Sequence, residues 1–298
     1  MILPPYVATY ATHAPYITVN EYLASPTGVD TSNLVPTGGN LTNAQTLANT
    51  VLRASGWADS LCSQKLAATV DTRAGKFPVR NGQVTIPLPF APVVMVSSIS
   101  MGWTPSTISV LPSTSTADVW VDPDNTLTLP LPNLSYGNPD RYYFGGRDVY
   151  ASVQYVNGWA NTQLSATATA GATTLTVASG LGIVAGQQLA LYSMTAGEVV
   201  TVAPGYVPSV ATGPVSVPLV SGTQGAYASG DTLTCMPQEI KQAVIYLTSV
   251  LIKTRGAESL TMRSAGGGPM ESDHLEGGAL NDFEFAVDLL APYKRVGA

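Results

Sequence analysis

Two hydrophobic rhythms divide this chain. In the first, apolar residues recur at three- and four-residue steps, the spacing of one helix face. Ala44, Leu47, Ala48, Val51, Ala54, Ala58 and Leu61 follow it, with Asn40 or Asn43 as the expected cap. Gly56 interrupts that pattern and weakens a helix by roughly 1 kcal/mol relative to Ala. A shorter helix is predicted from Thr18 through Glu21, Tyr22 and Leu23, ending before Pro26. A third begins at Pro237, a residue suited to a first helical turn, and carries the stripe Ile240, Ala243, Val244, Leu247 and Leu251. Glu239 stands at the positive end of its dipole, Lys253 and Arg255 at the negative end, and Gly256 is placed to cap it. A last helix is predicted from about Asn281 to Pro292, with Phe283, Ala286, Val287, Leu289 and Leu290 facing inward.

The second rhythm has period two. Val84, Ile86 and Leu88 alternate with polar neighbours after Asn81-Gly82, a strong hairpin signal. Val119 and Val121 precede the turn Asp122-Pro123-Asp124-Asn125, and Leu127 and Leu129 follow it. Val149, Ala151, Val153 and Tyr155 form another alternating strand, closed by Asn157-Gly158. Beyond it lie five short alternating segments: 173–177, 187–192, 199–202, 215–219 and 231–235. Their close spacing predicts a small barrel or sandwich. The stretches 186–191 and 230–235 share a turn-then-strand shape. The fold class expected is therefore α+β: a helical core with an antiparallel β section, interrupted by an all-β insertion. The corresponding domains are an extended arm (1–16), a discontinuous core (17–160 with 237–298) and the insertion (161–236).

Composition sharpens this division. Residues 161–236 contain no Lys or Arg and two acids, Glu198 and Asp231. The whole chain is 11% charged, under half the usual share of about 25%, and carries a net charge of −6. So neutral a surface suits a protein that spends its life packed against others. No basic stripe exists to hold nucleic acid through its phosphates. The first 16 residues have no basic start and no continuous apolar run, so neither a signal peptide nor a membrane anchor is expected. Pro4, Pro5 and Pro15 make them an extended arm, with Tyr6, Tyr10 and Tyr16 as contact residues.

Chemistry is sparse. The two histidines, His13 in the arm and His274 in a Gly-rich loop (264–278), sit where fixed catalytic geometry is not expected. Cys62 and Cys235 have no metal spacing and are expected as buried free thiols. Asp122, Asp124 and Asn125 lack the glycine and distal Glu of a calcium loop. Gly266-Gly267-Gly268 lacks the Lys and Ser/Thr of a phosphate loop. No catalytic, metal or cofactor-binding residues are predicted, and no enzyme is expected. The loop tethers the last helix, which can dock on its own chain or on a neighbour. An alternative role, as a binding module for glycan or protein, rests on the insertion, where Tyr192, Tyr206 and Tyr227 could stack on sugars or meet a protein.

With the insertion set aside, Tyr155-Val156-Asn157-Gly158-Trp159 leads into Pro237-Gln238-Glu239-Ile240-Lys241-Gln242-Ala243. That strand-to-helix passage, and the closing Leu289-Leu290-Ala291-Pro292-Tyr293-Lys294-Arg295, resemble the head–tail connector (adaptor) proteins of tailed bacteriophages. The resemblance implies a virion structural protein, assembled in the host cytoplasm into a homo-oligomeric ring, usually of twelve subunits. The ring would join the portal to a tail-side connector or head-completion protein, and genomic DNA would pass through it without sequence-specific binding. No membrane is involved in that arrangement. The resemblance also implies that the C-terminal segment packs on the portal, making Phe283, Phe285, Val287, Leu289, Leu290, Tyr293 and Arg295 candidate contacts. The stripe Ile240, Val244, Leu247 and Leu251 becomes the core helix. The arm and the 76-residue insertion (161–236) depart from the family's short members.

Overall fold

A computed structural model describes residues 14–32, 34, 41–80, 82–112, 119–130, 148–193, 196–210, 212–254 and 277–295. Tyr6, Tyr10, His13, Asn40, Asn81, Gly256, His274 and residues 264–276 lie outside them. The chain mixes helices with antiparallel sheets, as an α+β protein does.

The chain enters through α1 (Val19–Ala24), where Thr18 and Glu21 form a capping box. Helix α2 (Asn43–Cys62) is capped by Thr42, not by Asn40 or Asn43, because Thr42 and Gln45 satisfy each other's backbone donors. Its buried face is Leu47, Val51, Ala54, Ser55, Ala58 and Cys62. Ala44 and Ala48 are exposed, contrary to the periodic expectation, and Leu61 is half-buried. The apolar stripe thus begins to count only where the helix meets a neighbour.

Seven strands follow: β1 (Thr69–Arg80), β2 (Gln83–Pro87), β3 (Val93–Gly102), β4 (Ser109–Val110), β5 (Trp120–Val121), β6 (Thr126–Pro130) and β7 (Asp148–Asn157). They form one antiparallel sheet in the order β4-β3-β7-β1-β2-β6-β5. Strand β1 joins its halves, pairing Thr69–Pro78 with β7 and Val79–Arg80 with β2. Gly82 takes φ +73° in the tight turn between Arg80 and Gln83. The expected alternation holds on β2 and along β7 to Tyr155, whereas on β6 Thr128 is buried between Leu127 and Leu129. Val84, Ile86, Leu127, Leu129, Val149, Ala151, Val153 and Tyr155 share one cluster with Phe77 and Ile99.

Six further strands occupy the next stretch: β8 (Asn161–Gln163), β9 (Thr174–Ser179), β10 (Gln188–Tyr192), β11 (Gly197–Thr201), β12 (Thr212–Pro218) and β13 (Thr232–Thr234). Five of them fall on the five segments read from the sequence. The sixth, β8, pairs with β13, so that Asn161 faces Thr234. The two turn-then-strand stretches become β10 and β13, hydrogen-bonded neighbours that each follow a glycine with positive φ (Gly186 and Gly230). One sheet runs β11-β10-β13-β8 and the other β12-β9. Leu175, Val177, Leu189, Leu191, Val217 and Leu233 anchor a hydrophobic cluster whose members all come from residues 160–235.

Helix α3 (Gln238–Thr254) is buried nearly all round, and α4 (Gly277–Leu290) runs into a single 3₁₀ turn at Ala291–Tyr293. Ile240, Val244 and Leu247 are fully buried, as expected; Leu251 is half-buried, and Val250 and Ile252 go inward beside it. Helix α4 starts at Gly277, earlier than Asn281, so Gly277 and Gly278 belong to the helix and not to the loop. The glycine penalty of about 1 kcal/mol per residue is small beside what tertiary packing contributes to a helix. Helices α1 to α4 share a third hydrophobic cluster with Tyr16, Ile17, Leu66 and Met236. Among the described residues, no helix is long and apolar enough to cross a membrane.

Candidate interaction surfaces

The strand-to-helix passage singled out in the sequence is a physical junction. Gly158 turns the chain at φ +89°, and a Cβ there would lie 2.7 Å from the Ala67 carbonyl oxygen, so a side chain is excluded. The next residue, Trp159, donates its N–H to the Leu66 carbonyl at 2.9 Å and accepts from the Ala68 N–H at 2.8 Å. Its ring meets Tyr293 edge-on at 5.3 Å. Across the passage, Ala160 accepts hydrogen bonds from the Cys235 N–H and the Thr234 hydroxyl, both at 3.0 Å. The stretch from β8 to β13 therefore leaves and returns at one place, beside the N-terminus of α3.

The seven C-terminal candidates divide by burial. Helix α4 docks on its own chain: Leu290 is fully buried in the helical cluster, and Phe283 stacks on Trp57 at 5.2 Å. Lys253 on α3 pairs with Asp282 at 2.7 Å. Val287 and Leu289 are half-buried, whereas Phe285 is 58% exposed against Tyr246. The segment after the helix is also held. The Gln64 amide donates to the Tyr293 carbonyl (2.8 Å) and the Arg295 N–H to the Cys62 carbonyl (2.8 Å). The Arg295 guanidinium lies 4.8 Å from the Phe90 ring. Partial burial and the nearby Glu239 carboxylate, which accepts from its hydroxyl, push the Tyr293 phenol above its ordinary value. Of the seven, Phe285 and Arg295 are the exposed ones.

Tyr16 is not an arm contact. It is fully buried, and its hydroxyl donates a hydrogen bond to Asp59 while accepting from the N–H groups of Leu66 (3.2 Å) and Ala67 (3.1 Å). Asp59 also accepts from the Leu66 N–H at 2.9 Å. Burial first, then the Asp59 charge, holds the Tyr16 phenol well above its ordinary value. The sequence placed Tyr16 with the arm because of Pro15; the partners of its hydroxyl, Asp59, Leu66 and Ala67, lie far along the chain, invisible to any local pattern.

The tyrosines of the alternative binding role are also differently placed. Tyr206 and Tyr227 are buried in the β8–β13 cluster and Tyr192 is half-buried, so two of the three rings have no free face for a sugar. Burial, with Glu198 beside it, pushes the Tyr227 phenol up to about 12.

One surface feature that the sequence did not reveal is the pair of edges ending the seven-stranded sheet. Strands β4 and β3 at one end and β5 at the other flank a cleft of about 440 Å³, lined by Val96, Ile99, Val110, Leu111, Val119 and Val121. Val110 is 68% exposed, and Trp103, Ile108 and Trp120 are each about 40% exposed. Beyond the pairs Ser100–Val110 and Met101–Ser109 and the bond from the Leu111 N–H to the Ile99 carbonyl at 2.8 Å, the outer edge of β3 has no strand partner among the described residues. Exposed apolar side chains beside open strand edges are the usual mark of an association surface.

Among the described residues no cluster of three or more His, Cys, Asp or Glu is arranged to hold a metal ion. Cys62 is buried and Cys235 half-buried, both as free thiols. Burial, and after it the Asp59 charge, pushes the Cys62 thiol up to about 11. No protein-family model, no curated protein and no solved structure matches this chain.

Proposed function

We propose that this chain is a structural subunit of a homo-oligomeric ring, the head–tail adaptor of a tailed bacteriophage virion. In this reading about twelve copies sit between the portal and a tail-side connector or head-completion protein, and DNA passes through without sequence-specific contact. It is not an enzyme. Residues 17–160 and 237–298 are its core domain, and 161–236 are an inserted all-β domain, a small barrel or sandwich.

The observation that carries the reading is the sheet whose two end strands have no further strand partner among the described residues and bear Val110 and Trp120, 68% and 44% exposed. A monomer of low charge gains little by leaving such edges in water; a ring of identical subunits covers them by repetition. The low charge of the whole chain supports the same conclusion. Phe285 is the apolar residue of α4 best placed to touch the portal, because the rest of that face is committed to the chain's own core.

The test is the double variant Val110→Lys, Trp120→Lys. The expected result is loss of the oligomer by light scattering with an unchanged circular dichroism spectrum. An oligomer of undiminished size would overturn the proposed surface. Phe285→Asp is expected to leave the ring intact and weaken its capture by portal; unchanged capture would remove α4 from that contact.

A further inference from the structure

A second apolar groove, of about 720 Å³, lies where the helices meet the β10–β11 hairpin. Ile17 and Ala24 of the α1 region, Ala190 and Val199 of the hairpin, Ile245 of α3 and Leu289 of α4 line it. Val199 is 65% exposed, so this apolar wall is open to water. One flank holds an ion pair that is itself nearly buried. Lys241 Nζ lies 2.6 Å from Glu21 Oε1, with side-chain exposures of 8% and 11%. The other oxygen of Glu21 accepts the Thr18 N–H at 2.7 Å. The pair is thereby satisfied internally, and the two other carboxylates lining the groove, Glu198 and Glu239, already accept hydrogen bonds from the Gln224 N–H and the Tyr293 hydroxyl.

We infer that this groove receives the N-terminal arm of the same chain, residues 1–13. Three observations converge on that occupant. First, the chain's exit is fixed beside the groove. The Asn161 amide donates to the carbonyls of Ala14 (3.2 Å) and Pro15 (3.0 Å), and the Tyr16 N–H donates to Ser55 at 3.1 Å. Pro15 lines a small cleft with Val19, Gln163 and Tyr192, and Tyr192 lines the large groove as well, so the arm's root and the groove lie on two sides of one residue. Second, the arm's chemistry matches. The sequence Met1–His13 contains Ile2, Leu3, Tyr6, Val7 and Tyr10 and has no Lys, Arg, Asp or Glu. Third, reach and tethering favour the chain itself. Thirteen residues can reach roughly 40 Å at most, ample for a groove beside their root. A short tether gives the arm an effective concentration on the order of millimolar, above what a separate partner reaches in dilute solution. The inference is independent of the ring proposal, since it concerns contacts within one subunit.

Disulfide trapping in the full chain tests it. Val199→Cys is combined in turn with Leu3→Cys, Val7→Cys and Ala11→Cys, and Val110→Cys replaces Val199→Cys as the remote control. Under mild oxidation at least one Val199 pair is expected to give a disulfide within a single chain, migrating as a monomer without reductant. Disulfide-linked dimers from every such pair would overturn the inference and place a neighbour's arm in the groove. Trapping no better than the Val110 control would also overturn it. Hydrogen exchange gives a readout without cysteines: deleting residues 1–13 is expected to raise amide exchange at 190–199 by about tenfold. Unchanged exchange there, in a deletion variant with the wild-type circular dichroism spectrum, contradicts it.

Discussion

The helical body and the β8–β13 unit bury similar kinds of residue in opposite ways. The helical cluster draws Tyr16 to Ala67 from one end of the chain and Met236 to Leu290 from the other, so it closes only when distant segments meet. The β cluster takes every member from 160–235, and its two ends are hydrogen-bonded to each other at Ala160 and Cys235. The difference teaches where each part is vulnerable. A core assembled from distant segments depends on the polar locks that hold them in register, whereas a contiguous core depends on its own side-chain packing.

Lys241→Met attacks the strongest of those locks. It leaves the Glu21 carboxylate nearly buried without a counter-ion, and such a change costs about 3–5 kcal/mol. A urea titration followed by helical circular dichroism is expected to show that loss; a midpoint shifted by less than a third of it would mean that the pair holds nothing together.

Leu191→Ala strikes the contiguous core instead and is expected to cost about 2–5 kcal/mol. Hydrogen exchange should speed up through 160–235 while the α3 amides keep their protection. Equal acceleration in both regions would erase the comparison and make the chain a single cooperative unit.

Tyr16→Phe removes the hydroxyl that Asp59 and the N–H groups of Leu66 and Ala67 share. The expected loss is about 1–3 kcal/mol, confined to the helical body. A variant as stable as the wild type would show that the first described residues are not locked to α2 through this group.

The smallest effect is alkaline. The Cys62 thiol keeps its proton in the folded chain up to about pH 11, but loses it near pH 9 when unfolded. Between those values the folded state binds more protons than the unfolded state, so stability falls as pH rises. Urea midpoints measured from pH 8.5 to 10.5 should decline less in Cys62→Ala than in the wild type; parallel declines would exclude the thiol as a source.

Much of this fold was legible because its signals are local. Thr18 with Glu21, Pro237 with its apolar stripe, and Val149 to Tyr155 each declare an element within a dozen residues. Strand β3 was not legible: register shifts at Val93/Met95 and Val96/Ser98 break its alternation, and most of it is only half-buried. Strand β8 has three residues, too few for any period, and exists because β13 pairs with it. The site residues were harder still. Periodicity placed Phe283 and Leu290 on one face correctly, but the same pattern could not distinguish a face turned to the chain's own core from one turned to a partner. Phe285 is left exposed by where α3 lies, and the Val110–Trp120 edges exist only once the sheet is assembled.

Imaging the purified full-length chain, alone and with portal, tests the central claim most directly. The account predicts closed rings with a central hole, stacked coaxially on portal when it is present. A protein that remains monomeric in both samples would contradict it.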